Sequence, residues 1–132
     1  MRPHEGKRAF NRGVKVEHLA LCGIVWAELH CGACLSADPA AERRRIEAAF
    51  SAWRSLPFDD AAALRYGEIR ARLQRAGRLI GANDLLIAAI ALANGLTLVT
   101  HNTAEFARIE GLAIEDWEAE TDQAGQGEEP RG

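Results

Sequence analysis

Ile80-Gly-Ala-Asn83-Asp84-Leu-Leu-Ile-Ala-Ala-Ile-Ala-Leu-Ala-Asn94-Gly95-Leu96-Thr-Leu-Val-Thr100-His-Asn102 decides the fold. Gly81 to Asp84 supply a helix start, and the residues that follow are apolar on nearly every face, as in a helix buried on several sides. Leu96–Thr100 then reads as a buried strand, and His101-Asn102-Thr103 turns out of its C-terminal end into a short helix over Ala104–Ile109. Polar residues at that end of a strand in an open α/β sheet occupy the usual ligand crevice, which places the His101-Asn102-Thr103 turn there. Asp84, taken alone, is a helix cap or offsets the helix dipole.

Upstream, Leu19-Ala-Leu21-Cys22 fits a short buried strand, broken by Gly23 before a helix with Ile24, Val25, Leu29 and Ala33 at helical spacing. Glu28 is the single carboxylate in that apolar stretch. Asp38-Pro39 starts a second helix whose apolar positions are Ile46, Ala49, Phe50 and Trp53. Arg43, Arg44 and Arg45 stand near its start, the less favourable end for cations, and so answer to something other than helix stability. Asp59-Asp60 cap a third helix with Tyr66, Ile69, Leu73 and Ala76 inside, Arg65, Arg72 and Arg75 outside, and Gly77 as its stop. These two helices, joined by Leu56-Pro57-Phe58-Asp59, are expected to form a hairpin-like insert with basic outer faces. Ala113-Ile114 suggests a short last strand ending at Trp117, and the acidic residues from Glu118 onward read as a disordered tail.

The 132 residues suit one domain, and 48% hydrophobic with 27% charged residues is a globular composition. The net charge of −3 conceals an asymmetry: residues 1–78 carry 14 Lys/Arg against 9 Asp/Glu, residues 79–132 carry 2 against 10. A basic half can steer a polyanion even in a mildly acidic protein. No stretch approaches the roughly 18–20 apolar residues of a spanning helix, and no apolar run follows the first charges, so a cytoplasmic protein is expected. No Gly-rich phosphate loop and no nucleophile elbow occurs, which argues against nucleotide-dependent and serine-hydrolase chemistry. Three cysteines argue against a disulfide framework. His30-Cys31-Gly-Ala-Cys34, with Cys22 and His18 upstream, lacks the second half of a zinc site, so packed thiols are expected rather than a redox or zinc module.

Trp26-Ala-Glu28-Leu, Leu56-Pro-Phe-Asp59, Ile80-Gly-Ala-Asn-Asp84-Leu-Leu-Ile-Ala-Ala, Leu98-Val-Thr-His-Asn102-Thr-Ala-Glu105-Phe and Gly111-Leu with Glu115-Asp-Trp117 together resemble the PIN-domain family. Within it the pattern is most similar to the VapC-like toxins of type II toxin–antitoxin pairs, in order over about residues 19–117. The resemblance implies a Rossmann-like α/β/α sandwich with a parallel sheet over residues 19–117, between an atypical segment 1–18 and the acidic tail 118–132. It implies a Mg²⁺- or Mn²⁺-dependent endoribonuclease that hydrolyses RNA phosphodiester bonds and is inhibited by a cognate antitoxin. Homodimers are common in the family, and no membrane partner is expected.

By the same resemblance Glu28, Asp84 and Asn102 are the catalytic positions, and Glu28 and Asp84 the metal ligands. Glu105, Thr100, Arg43 and Arg44 are outer-shell or RNA contacts. Hard cations take oxygen ligands, and Mg²⁺ is often held by one or two carboxylates while keeping several waters, so the residue types suit the role. One departure stands against the family pattern: an apolar first strand ending in Asp, which would lie centrally in the sheet, has no counterpart in residues 1–18. The expected explanations are a shortened reading frame, a degenerate toxin, or a partial strand rebuilt from Val14-Lys-Val16. The alternative to an attenuated or truncated ribonuclease is therefore an inactive PIN-like remnant that binds an antitoxin or RNA.

Overall fold

The computed structural model describes residues 2–3 and 20–116. The expected segments around Val14-Lys-Val16 and from Trp117 onward lie outside the described residues. In chain order the elements are β1 (Arg2–Pro3), β2 (Ala20–Cys22), α1 (Gly23–Leu35), α2 (Pro39–Phe50), β3 (Arg54–Leu56), α3 (Asp60–Arg75), α4 (Ala82–Ala93), β4 (Leu96–Val99), α5 (Thr103–Phe106) and β5 (Ile114–Glu115). This is the expected α/β alternation.

Helix α4 is the centre of the molecule. Leu85 and the run Ile87–Ala91 are buried, and Ala88, Ala89 and Ala91 leave room for neighbouring elements to approach closely. It packs most extensively against α3, whose Ile69 and Leu73 are buried as expected, and also meets β4 and α1. Ala76, expected inside, is exposed beyond the end of α3. Two glycines end these helices because the chain must reverse through positive φ: Gly77 at 66° and Gly95 at 63°. At the first, the Arg78 amide donates to the Leu73 carbonyl at 2.8 Å, and at the second the chain enters β4 directly.

The strands form two parallel pairs. Cys22 of β2 registers with Leu56 of β3, and Leu98 and Val99 of β4 register with Ile114 and Glu115 of β5. β1 adds two residues, antiparallel, to the edge of β4 away from β5. Among the described residues no ladder joins β2 to β4.

The hairpin-like insert is corrected. Its two helices do not pair: α2 packs on α1, α3 packs on α4, and strand β3 separates them. The reason is local and non-local at once. Pro57 pushes Leu56 into extended backbone, and Leu56 buries itself in the core while its strand pairs with β2. Helix α2 therefore stops at Phe50, and Trp53, half-buried in the following bend, packs edge-on to Phe50 with ring centroids 5.0 Å apart. Trp26 of α1 meets Phe50 the same way at 6.0 Å, joining the two helices. Asp38 and Asp59 cap α2 and α3 by accepting from the amides of Ala41 and Ala62 at 3.1 and 3.0 Å.

The expectation of packed thiols holds only for Cys22, which is buried; Cys31 and Cys34 are exposed, because α1 buries little more than Ala33 and faces them outward. None of the described helices is long and apolar enough to cross a membrane.

Candidate functional site

Asp84 sits in the first turn of α4, where the helix dipole favours a carboxylate. It does not cap the helix: Gly81 is the N-cap residue and offers no side chain. Asp84 instead reaches sideways to the turn after β4. There the Asn102 carboxamide nitrogen donates to Asp84 Oδ2 at 3.1 Å and to Glu105 Oε2 at 3.0 Å. The Asn102 backbone amide donates to Thr100 Oγ1 at 3.0 Å, which fixes the turn that presents the carboxamide. Phe106 and Ile109, buried on either side of the α5 exit, anchor this segment in the core.

The cluster is electrostatically unbalanced. Burial first, then the Glu105 carboxyl by hydrogen bond and by charge, hold the Asp84 carboxyl above its ordinary value of 3.8. The charge of Glu28, reaching across from α1, pushes the same way, and the Asn102 amide opposes them. Glu28 itself is exposed. The sequence-expected residues Asp84, Asn102, Glu105 and Thr100 are thus brought together, with Glu28 in electrostatic range. Arg43 and Arg44 are exposed on α2, and among the described residues no hydrogen bond or ion pair ties them to the cluster.

Among the described residues, no three His, Cys, Asp or Glu side chains converge closely enough to grip an ion by themselves. The donor chemistry nevertheless fits a hard divalent cation: two carboxyls in contact, a third within reach of their field, an amide that can turn its oxygen inward, and excess negative charge. Two residues escaped sequence reasoning. Asp116 Oδ1 lies 3.4 Å from His101 Nδ1, beside the Asn102 turn, and the signal for it was the Glu115-Asp-Trp117 run at the end of a strand. Arg108 contacts the loop that leads into α4, for which the sequence holds no signal.

A PIN-domain family model matches residues 2–112. Ribonuclease VapC2 of Rickettsia felis is 38% identical over 100 residues, covering 76% of this chain and 75% of that protein. The tRNA(fMet)-specific endonuclease VapC of Salmonella typhimurium is 36% identical over 116 residues, covering 88% and 86%. Among solved structures, VapBC-1 from nontypeable Haemophilus influenzae matches with a TM-score of 0.77 and 34% identity, over 84% of this chain and 83% of that one. The family model spans the α4–β4 core and the Asp84–Asn102–Glu105 cluster together, and relatives above 30% identity cover most of their own length, so the chain belongs to the PIN-domain family.

Proposed function

We propose that this chain is a VapC-like endoribonuclease, the toxin of a type II toxin–antitoxin pair, acting on RNA of the transfer-RNA class with a Mg²⁺ or Mn²⁺ ion. The observation that carries the reading is the meeting of Asp84, Asn102 and Glu105 at the C-terminal end of β4, in a chain whose relatives include a ribonuclease VapC2 and a tRNA(fMet)-specific endonuclease. Similar solved structures are VapBC complexes, which supports an antitoxin as partner.

Asp84 and Glu28 would hold the cation, with Glu105 beside Asp84. A divalent ion there supplies a water of lowered pKa and neutralises charge on the phosphodiester. Asp84 would present its carboxylate to that ion from the first turn of α4, the helix with the most buried residues. Asn102 orients the Asp84 and Glu105 carboxyls through its two hydrogen bonds and partly offsets their repulsion. Arg43 and Arg44, exposed on a basic half of the chain, offer phosphate contacts that position RNA without reading its sequence.

The test is cleavage of purified transfer RNA by the full chain with Mg²⁺ or Mn²⁺, beside Glu28→Gln and Asp84→Asn. Cleavage that needs the ion and falls by about 10²-fold or more in both variants is the expected result. Cleavage indifferent to both substitutions would overturn the assignment.

A further inference from the structure

The Asp84–Asn102–Glu105 cluster joins two stretches of chain that have reasons to separate. Asp84 and Glu105 repel each other, and Glu28 adds to the repulsion. The Asn102 carboxamide donates from the 102–105 turn to Asp84, and both residues are solvent-accessible. A site built on mutual repulsion needs a tie outside itself if its geometry is to survive before a cation arrives.

Arg108 is placed to be that tie. It follows α5 directly, between buried Phe106 and buried Ile109, so its backbone is fixed by the core. Its Nη1 donates to the carbonyl of Leu79 at 3.1 Å and to that of Arg78 at 3.5 Å. Those carbonyls belong to the loop between the Gly77 stop of α3 and the Gly81 cap of α4, which delivers Asp84 five residues later. On the other side, Arg108 is one helical turn beyond Glu105. The guanidinium therefore spans the same two segments as Asn102.

A second feature argues that this placement serves position rather than stability. Arg108 Nε is buried and has no hydrogen-bond partner among the described residues. Burying an unpaired donor costs free energy, and a shorter or apolar side chain would avoid that cost. An arginine is kept where the reach of its fork is needed.

We propose that Arg108 is a positioning residue for the ribonuclease site, holding the Asp84 segment and the Asn102–Glu105 segment in register through its clasp on the carbonyls of Arg78 and Leu79. The proposal rests on the functional reading above, and part of its test does not. Full-length Arg108→Met and Arg108→Lys are compared with wild type by NMR of the metal-free protein, following the Asn102 side-chain amide, and by steady-state RNA cleavage. Arg108→Met is expected to move the Asn102 amide signals and to lower kcat by about 10- to 100-fold with KM little changed, the signature of misplaced groups. Arg108→Lys, whose ammonium stops one bond short of Nη1, is expected to fall between the two in both readouts.

A folded Arg108→Met with Asn102 signals in place, or with wild-type kcat, overturns the proposal, because a merely structural arginine lowers the melting temperature and does no more. Should Arg108→Met not fold, Arg108→Lys decides: displaced Asn102 signals with KM retained support the role, and wild-type signals overturn it. If wild-type protein cleaves no RNA, the ribonuclease reading fails, while the Asn102 signals still decide whether Arg108 sets the register.

Discussion

The carboxamide of Asn102 lies 3.1 Å from Asp84 across 18 residues of chain, and the same nitrogen is 3.0 Å from Glu105. One neutral amide therefore donates to two carboxyls that also act on each other. This relationship ties the first turn of α4 to the turn after β4, and four expectations follow from it and from the fold beneath it.

Replacing Asp84 by Asn removes a like charge while keeping an oxygen that Asn102 can donate to. In metal-free buffer Asp84→Asn should raise the melting temperature by about 2–5 °C, as relief of a strained functional site commonly does. RNA cleavage should be lost in the same variant. A drop in melting temperature by calorimetry would mean that the Asp84 carboxylate stabilises the metal-free fold.

The pH dependence has a definite sign. The Asp84 carboxyl is held above 3.8, so the folded protein takes up its proton more readily than the unfolded chain does. Its contribution is a destabilisation that sets in as pH rises from 3.8 through the folded pKa and is complete above it. In chemical denaturation across pH 3–8, the stability gap between Asp84→Asn and wild type should be widest near neutrality and close toward pH 3. A gap independent of pH would contradict the shift.

A cation that binds the folded state alone stabilises it by mass action, by about 2.7 kcal/mol at a hundred times its Kd. Mn²⁺ should accordingly raise the melting temperature of wild type, and that rise should vanish in Asp84→Asn and shrink in Glu28→Gln. It should also weaken as pH falls, since protons compete for the raised Asp84 carboxyl. Equal Mn²⁺ shifts in all three proteins would place the ion elsewhere.

The core predicts a contrast within one fold. Ile90 of α4 is 0% exposed, and Ile90→Ala should cost about 2–5 kcal/mol in urea denaturation. Leu35 at the end of α1 is 82% exposed, and Leu35→Ala should stay within about 0.5 kcal/mol. Comparable losses at both positions would mean that Leu35 is covered in solution.

The buried helix and strand from Ala82 to Val99 were legible in the sequence because their signals are local: an apolar run, a helix opening at Gly81 and a positive-φ glycine between them. Asp84, Asn102 and Glu105 were legible through a family pattern. β3 was not, because three residues carry no periodicity and their state is settled by pairing with β2, some thirty residues earlier. Arg108 was illegible for a similar reason. Its partners are backbone carbonyls 29 and 30 residues away, and a carbonyl looks the same whatever residue bears it. The exposure of Cys31 and Cys34 was hidden by the apolar composition of α1, which suggested more burial than that helix receives.

The unequal embedding of α1 and α4 has a kinetic consequence. Amides in the middle of α4 sit in the most deeply buried helix, packed on α3, β4 and α1, so they exchange with solvent only when the whole protein opens. α1, with one buried residue, can open in smaller excursions. Asp84 is thus a fixed post, whereas Glu28 rides on a helix free to breathe. Backbone amides around Glu28 should therefore exchange through local openings of α1, faster than those in the middle of α4.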